Sequence, residues 1–151
     1  MKPCKGFSLV ETMIVIALMM LLATTGYVAS LSIIRWQSLL NDTNLITSQI
    51  ALAQMHAYSQ RDGQSHGVKI LSNEVVRFTG DSYALRDQEL DVVLPRAGSI
   101  SLTGDTEIVF TEGGLAPIQP FIIILEMGIR THEISVSSYG ILDTTTGISE
   151  S

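Results

Sequence analysis

Three regimes of hydrophobic patterning follow one another along the chain. From Thr12 to Ile34 no side chain is charged. That run of about 23 residues would make a helix roughly 34 Å long, which predicts a membrane span. A cleaved secretory signal has a shorter apolar core and a small-residue cleavage site behind it, so the run is too long for one. After Arg35 the pattern turns amphipathic. Trp36, Leu39, Leu40, Ile46, Ile50, Ala53 and Ala57 recur largely at three- and four-residue spacing, as one face of a helix would. No proline stands between Pro3 and Pro95. Arg61-Asp62-Gly63 offers a polar stop with glycine as C-cap. The spacing predicts one helix from Phe7 to about Arg61, its first half in a membrane and a stripe of its second half against a sheet. Thr24-Thr25-Gly26 is its weakest helical stretch, and reads as ordinary membrane-helix composition.

Beyond Gly63 the period shortens and turn residues multiply. Strands are predicted at Val68–Leu71, Val75–Phe78, Tyr83–Leu85, Leu90–Leu94, Ile100–Leu102, Glu107–Phe110, Phe121–Leu125 and Ile134–Val136. The unbroken apolar run Phe121–Leu125 predicts a buried central strand. Asp143 to Ser151 is polar and predicts a frayed tail. The expected fold class is α+β: a long N-terminal helix packed on a mostly antiparallel β-sheet head.

Charge changes the picture. The chain of 151 residues carries a net charge of −6, and Lys2 and Lys5 precede the apolar run. Positive flanks stay cytoplasmic, so the body from Arg35 onward is expected outside. An acidic body does not attract phosphate backbones, which argues against nucleic acid as a partner. The single cysteine, Cys4, excludes an intrachain disulfide. Glu11 is the anomaly, a carboxylate at the head of an apolar helix, where a lone charge costs several kcal/mol. Either it reaches for headgroups at the inner interface, or it has a cationic partner. No basic residue follows within the span, so a partner would come from another chain or from a new amino terminus near Gly6.

Lys5-Gly6-Phe7-Ser8-Leu9-Val10-Glu11, followed by an uncharged helix, resembles the N-terminus of type IV pilins and pseudopilins. The resemblance implies cleavage by a prepilin peptidase between Gly6 and Phe7, and N-methylation of Phe7. It makes Lys2 and Lys5 the basic residues of the leader. It also gives Glu11 an assembly role, its carboxylate meeting the amino terminus of a neighbouring subunit. The expected organisation is a leader at 1–6, a transmembrane and assembly helix at 7–34, and an amphipathic continuation at 35–62. A β-rich head at 63–142 and a polar tail at 143–151 follow.

"EIVFTEGGLAP", "FIIILEMG" and "THEISVSSYGIL" further resemble the C-terminal pattern of the GspH/FimT pseudopilins, in which the last strand ends in glycine. The order of elements and "LITSQIALAQMHAYSQ" resemble ComGD of competence systems. Two departures stand out. DNA binding in some FimT-like proteins implies a basic C-terminal surface, whereas "DTTTGISES" is acidic. Major pilins often close a C-terminal loop with a disulfide, and no cysteine is available for one.

No catalytic constellation emerges. His56, His66 and His132 lack metal-ligand spacing and read as surface histidines. No G-x-S-x-G motif occurs. Gly113-Gly114 reads as a turn. Asp87, Glu89 and Asp91 read as a solvated strand face, with a calcium site left open as an alternative. No cofactor and no metal are expected. The leading expectation is a minor pseudopilin of a type II secretion, type IV pilus or competence pseudopilus. Its expected partners are other pilin subunits, the prepilin peptidase and the inner-membrane assembly platform. It would lie in the inner membrane as a single-pass protein before assembly. The alternatives are a tip-located pilin that binds DNA or a surface ligand, and a membrane enzyme whose N-terminus merely looks pilin-like.

Overall fold

A computed structural model describes residues 8–148, with backbone alone at 24–32. The expectations on Lys2, Cys4, Lys5, Gly6 and Phe7 lie outside the described residues. The chain forms two compact units, Met1–Trp36 and Gln37–Ser151. One helix, α1 (Leu9–Tyr58), contributes to both and runs unbroken through Thr24-Thr25-Gly26.

In the first unit, every described side chain from Ser8 to Ala23 is exposed. Leu, Met, Ile and Val occupy all sides of the helix, so no single stripe selects a core. The expectation of a membrane span over 7–34 is not confirmed. Among the described residues, no helix is long and apolar enough to cross a membrane.

In the second unit, α1 does select a face. Leu39, Asp42, Thr43, Ile46, Gln49, Ile50, Ala53 and Ala57 are buried, at the three- and four-residue spacing that lines one side of a helix. Each large aliphatic among them contributes about 1.5–3 kcal/mol on burial. The helix ends at Tyr58, before the expected Arg61. In its last turn the Ala57 carbonyl accepts the N–H groups of Gln60 (3.1 Å) and Gly113 (2.8 Å). Gln60 therefore takes the left-handed position, at φ 54°, while Gly63 closes a following 3-10 turn at Arg61–Gly63.

The head contains two four-stranded antiparallel sheets where one was expected. The strands are β1 (His66–Ile70), β2 (Glu74–Thr79), β3 (Val92–Pro95), β4 (Ser101–Gly104), β5 (Glu107–Phe110), β6 (Phe121–Met127), β7 (Arg130–Val136) and β8 (Leu142–Ile148). The first sheet runs β3-β2-β1-β5 and the second β4-β6-β7-β8. The chain crosses between sheets after β3, β4 and β5. Tyr83–Leu85 is a 3-10 turn rather than a strand. Its Tyr83 ring meets Phe78 edge-to-face at 5.8 Å.

The stretch expected as a frayed tail is mostly β8, paired along its length with β7. Its polarity reflects an edge strand with water on its outer face. Gly140, expected to end the last strand, thus sits in the turn between β7 and β8. β6 is central in its sheet, yet only Phe121, Ile123 and Leu125 are buried, whereas Ile122 is half exposed. One face alone is covered, as antiparallel sheets permit.

Two fasteners join helix to head. The first is an ion pair withdrawn from water. Arg96 and Asp42 have side-chain exposures of 0% and 3%, with Arg96 Nη2 2.7 Å from Asp42 Oδ2. Arg96 Nε donates to the same oxygen at 2.8 Å. Its remaining N–H groups donate to the carbonyls of Leu71, Ser72 and Ile100, and Ala97 N–H donates to Asp42 Oδ1. Every guanidinium proton and both carboxylate oxygens, which burial would otherwise strand, are used. The second is Gln54, whose Nε2 donates to Leu115 O (2.6 Å) and Gly140 O (2.8 Å). Gly140, at φ 80°, brings its backbone against Leu115 O where a Cβ would collide.

Removing one partner of such a pair leaves a buried charge uncompensated. Asp42→Ala should lose about 3–5 kcal/mol of stability in urea unfolding. Lys69→Met breaks the partly exposed Lys69–Glu107 pair (3.2 Å) and should cost about 1 kcal/mol or less. Equal losses from the two variants would contradict this ranking.

Candidate functional site

The residues that the sequence singles out lie at the start of α1. Ser8 O accepts Glu11 N–H (3.0 Å) and Thr12 N–H (3.2 Å) and so closes the first turn. Thr12 Oγ1 donates to Leu9 O at 2.8 Å. Glu11 thus stands in the first turn, where the partial positive charge of the unpaired N–H groups favours a carboxylate. It is exposed and ringed by exposed Leu9, Val10, Met13 and Ile14. Among the described residues of this unit the only basic side chain is Arg35, about 36 Å of helical rise away. Within this unit no other described cation is available to Glu11. Gly6 and Phe7, the expected cleavage and methylation positions, and Lys2 and Lys5 lie outside the described residues.

A second constellation, which sequence reasoning missed, gathers where α1 ends against the first sheet. Arg61 Nη1 donates to His56 Nε2 at 3.2 Å. His56 therefore carries its proton on Nδ1. His66 Nε2 donates to Arg61 O at 2.9 Å, and Thr79 Oγ1 donates to His66 Nδ1 at 3.3 Å. The two imidazoles meet edge-to-face at 5.4 Å. Arg77 reaches in from β2 and donates to Gln49 Oε1 at 3.2 Å. Burial first, then Arg77, Arg61 and His66, hold the His56 pKa below its usual value, against the opposing pull of Asp62. Arg77 is lowered by burial and by Arg61. One signal in the sequence could have found this site. Arg77 sits in a strand whose neighbours Val76 and Phe78 are apolar, and such an arginine needs a partner.

The histidines correct an expectation. His66 and His132 are buried rather than on the surface. His132 lies on the inner face of the second sheet, opposite Leu125 on one side and Thr146 on the other. Burial lowers its pKa below 6.5. Asp87, Glu89 and Asp91 do not share a strand face either. Asp87 Oδ1 accepts Glu89 N–H and caps a 3-10 turn, while Asp91 Oδ2 accepts Arg86 Nε at 2.7 Å. Gly113 and Gly114 do form a turn, closed by Gly114 N–H on Thr111 O (2.9 Å). Among the described residues no three metal-ligating side chains converge.

Residues 1–27 match the family model of the prokaryotic N-terminal methylation motif. No curated protein and no solved structure matches the chain. The matched stretch contains the Gly6–Phe7 junction and Glu11. The chain therefore carries a type IV pilin-like prepilin signal. Such a signal implies a membrane-anchored protein processed by a prepilin peptidase, and a structural subunit rather than an enzyme.

The depressed histidines make stability depend on pH. Below pH 6.5 the unfolded chain takes up protons that folded His132 and His56 resist. Stability is therefore lost as pH falls from about 6.5 toward the folded pKa values, and levels off below them. The thermal midpoint should drop between about pH 7 and pH 5, and His132→Gln should shrink the drop. An unchanged profile in that variant would remove His132 as its source.

Proposed function

Proceeding from the prepilin signal, we propose that the chain is a minor pseudopilin of the GspH/FimT/ComGD group. It serves in a pseudopilus of type II secretion, a type IV pilus or a competence system. The methylation motif at residues 1–27, with Glu11 inside it, carries this reading. Prepilin peptidase cuts between Gly6 and Phe7 and the new terminus at Phe7 is methylated. Lys2 and Lys5 hold the leader on the cytoplasmic side, and the apolar segment keeps the protein in the inner membrane with its head outside.

Assembly is the chemistry. An unpaired carboxylate in an apolar setting is costly, and an ammonium from a neighbouring subunit's Phe7 removes that cost. The pairing also sets axial register, since a wrong offset leaves both charges bare. The exposed side chains from Leu9 to Leu22 supply the apolar surface that subunit packing would bury. Partners are other pilin-type subunits and the inner-membrane assembly platform, with the energy coming from a separate ATPase.

Intact mass and the N-terminal peptide, taken from membranes containing the cognate peptidase, test the first step. The expected chain begins at N-methyl-Phe7. A chain still carrying Cys4 would leave only a signal-anchored protein. Glu11→Ala should be processed and inserted normally yet enter filaments at least about tenfold less well, since one unmatched charge exceeds 1.4 kcal/mol. Unaltered incorporation would take Glu11 out of the mechanism.

A further inference from the structure

We propose that the cavity between the end of α1 and the first sheet binds one compact oxyanion, a phosphate or a carboxylate. It is lined by His56, Arg61, Asp62, His66 and Arg77, among others, and encloses about 100 Å³. At about 30 Å³ per water, that volume suits an oxyanion group and is too small for a nucleotide. The inference stands apart from the pseudopilin reading and involves none of the same residues.

Charge imbalance points to the ligand's sign. Two guanidiniums and two imidazoles face one carboxylate, and that carboxylate is a weak partner. Asp62 lies 3.8 Å from Arg61 with half its side chain in water. The protein as a whole is acidic at −6, so basic groups gathered here with little acid among them are not a by-product of composition. Arg61 spends a hydrogen bond on a neutral imidazole, where a carboxylate or phosphate would be the stronger acceptor. Arg77 directs one donor at an uncharged amide, Gln49, and a guanidinium has five.

Two carbonyls at the negative end of the helix are already engaged: Ala57 O accepts two N–H groups and His56 O accepts Ser59 Oγ. A metal ion is a poor alternative. His56 Nε2 and His66 Nε2 are both engaged, and two guanidiniums repel a cation. An anion would instead accept from Arg61 and Arg77 together and from the Nδ1–H of His56. It would also relieve the charge repulsion that adds to burial in depressing His56 and Arg77.

The test uses the full chain in detergent with labelled histidines, titrated separately with inorganic phosphate and with acetate against sodium chloride at equal ionic strength. The expected result is a saturable shift of the His56 and His66 resonances, with the His56 pKa rising toward its usual value. Saturation by phosphate alone, acetate alone or both supports the site and identifies the chemistry it accepts. Saturation by neither overturns it. Arg61→Gln, at an exposed side chain, should weaken binding by about tenfold while leaving the fold unchanged, the value of one charge-assisted hydrogen bond. Arg77→Gln should weaken it at least as much. Unchanged affinity in a folded Arg61→Gln variant overturns the assignment.

Discussion

The Asp42–Arg96 ion pair is the constraint on which the head depends. Arg96 leaves β3 where the chain quits the first sheet for the second. Its guanidinium reaches the helix, the β1–β2 turn and the residue before β4 at once. The two loop segments are irregular at that point and would present bare carbonyls to the interior. One planar cation satisfies them all, and Asp42 neutralises it. A lysine has three donors on a single atom and could not span these directions. The geometry therefore fixes where the crossover passes, and with it the seating of both sheets on the second half of α1.

The same end-group logic recurs at the other end of the buried helix face. Gly113, from the loop between β5 and β6, donates its N–H to the Ala57 carbonyl in the last turn of α1. Gln54 one turn earlier divides its amide hydrogens between two loops. Long-range polar contacts thus finish what local sequence leaves open. The helix termination that Arg61-Asp62-Gly63 suggests is displaced to Tyr58, because a capping group arrives from a distant loop.

Much of the architecture was legible in the sequence. The amphipathic positions Leu39, Ile46, Ile50, Ala53 and Ala57 are the buried stripe, and seven of the eight strands overlap apolar segments visible by inspection. What escaped detection has a common physical cause. Edge strand β8 carries no buried pattern, so its threonines look like a tail. The division into two sheets depends on pairing partners far apart in the chain, which periodicity does not encode. Asp42 looks like any polar residue on a helix, and Arg96 like any loop arginine. Their burial is visible only once the helix and the crossover meet. At the candidate site the reverse holds. Glu11 was conspicuous because a carboxylate in an apolar run breaks a local rule, whereas the Arg61–Arg77 cluster breaks none until the strands are assembled.

The placement of the two fasteners has a mechanical consequence. Asp42 and Gln54 lie on one helix about 18 Å apart along its axis, and each is bonded to the β-rich body. Tension applied along that axis loads both joints in parallel, together with the apolar stripe between them. Slip then requires them to yield simultaneously, as in shear. A sideways pull would open them one after another. The head is thus bound to its helix most firmly against forces that follow the helix, and forced unfolding, governed by the barrier rather than by equilibrium stability, should depend on the direction of the pull.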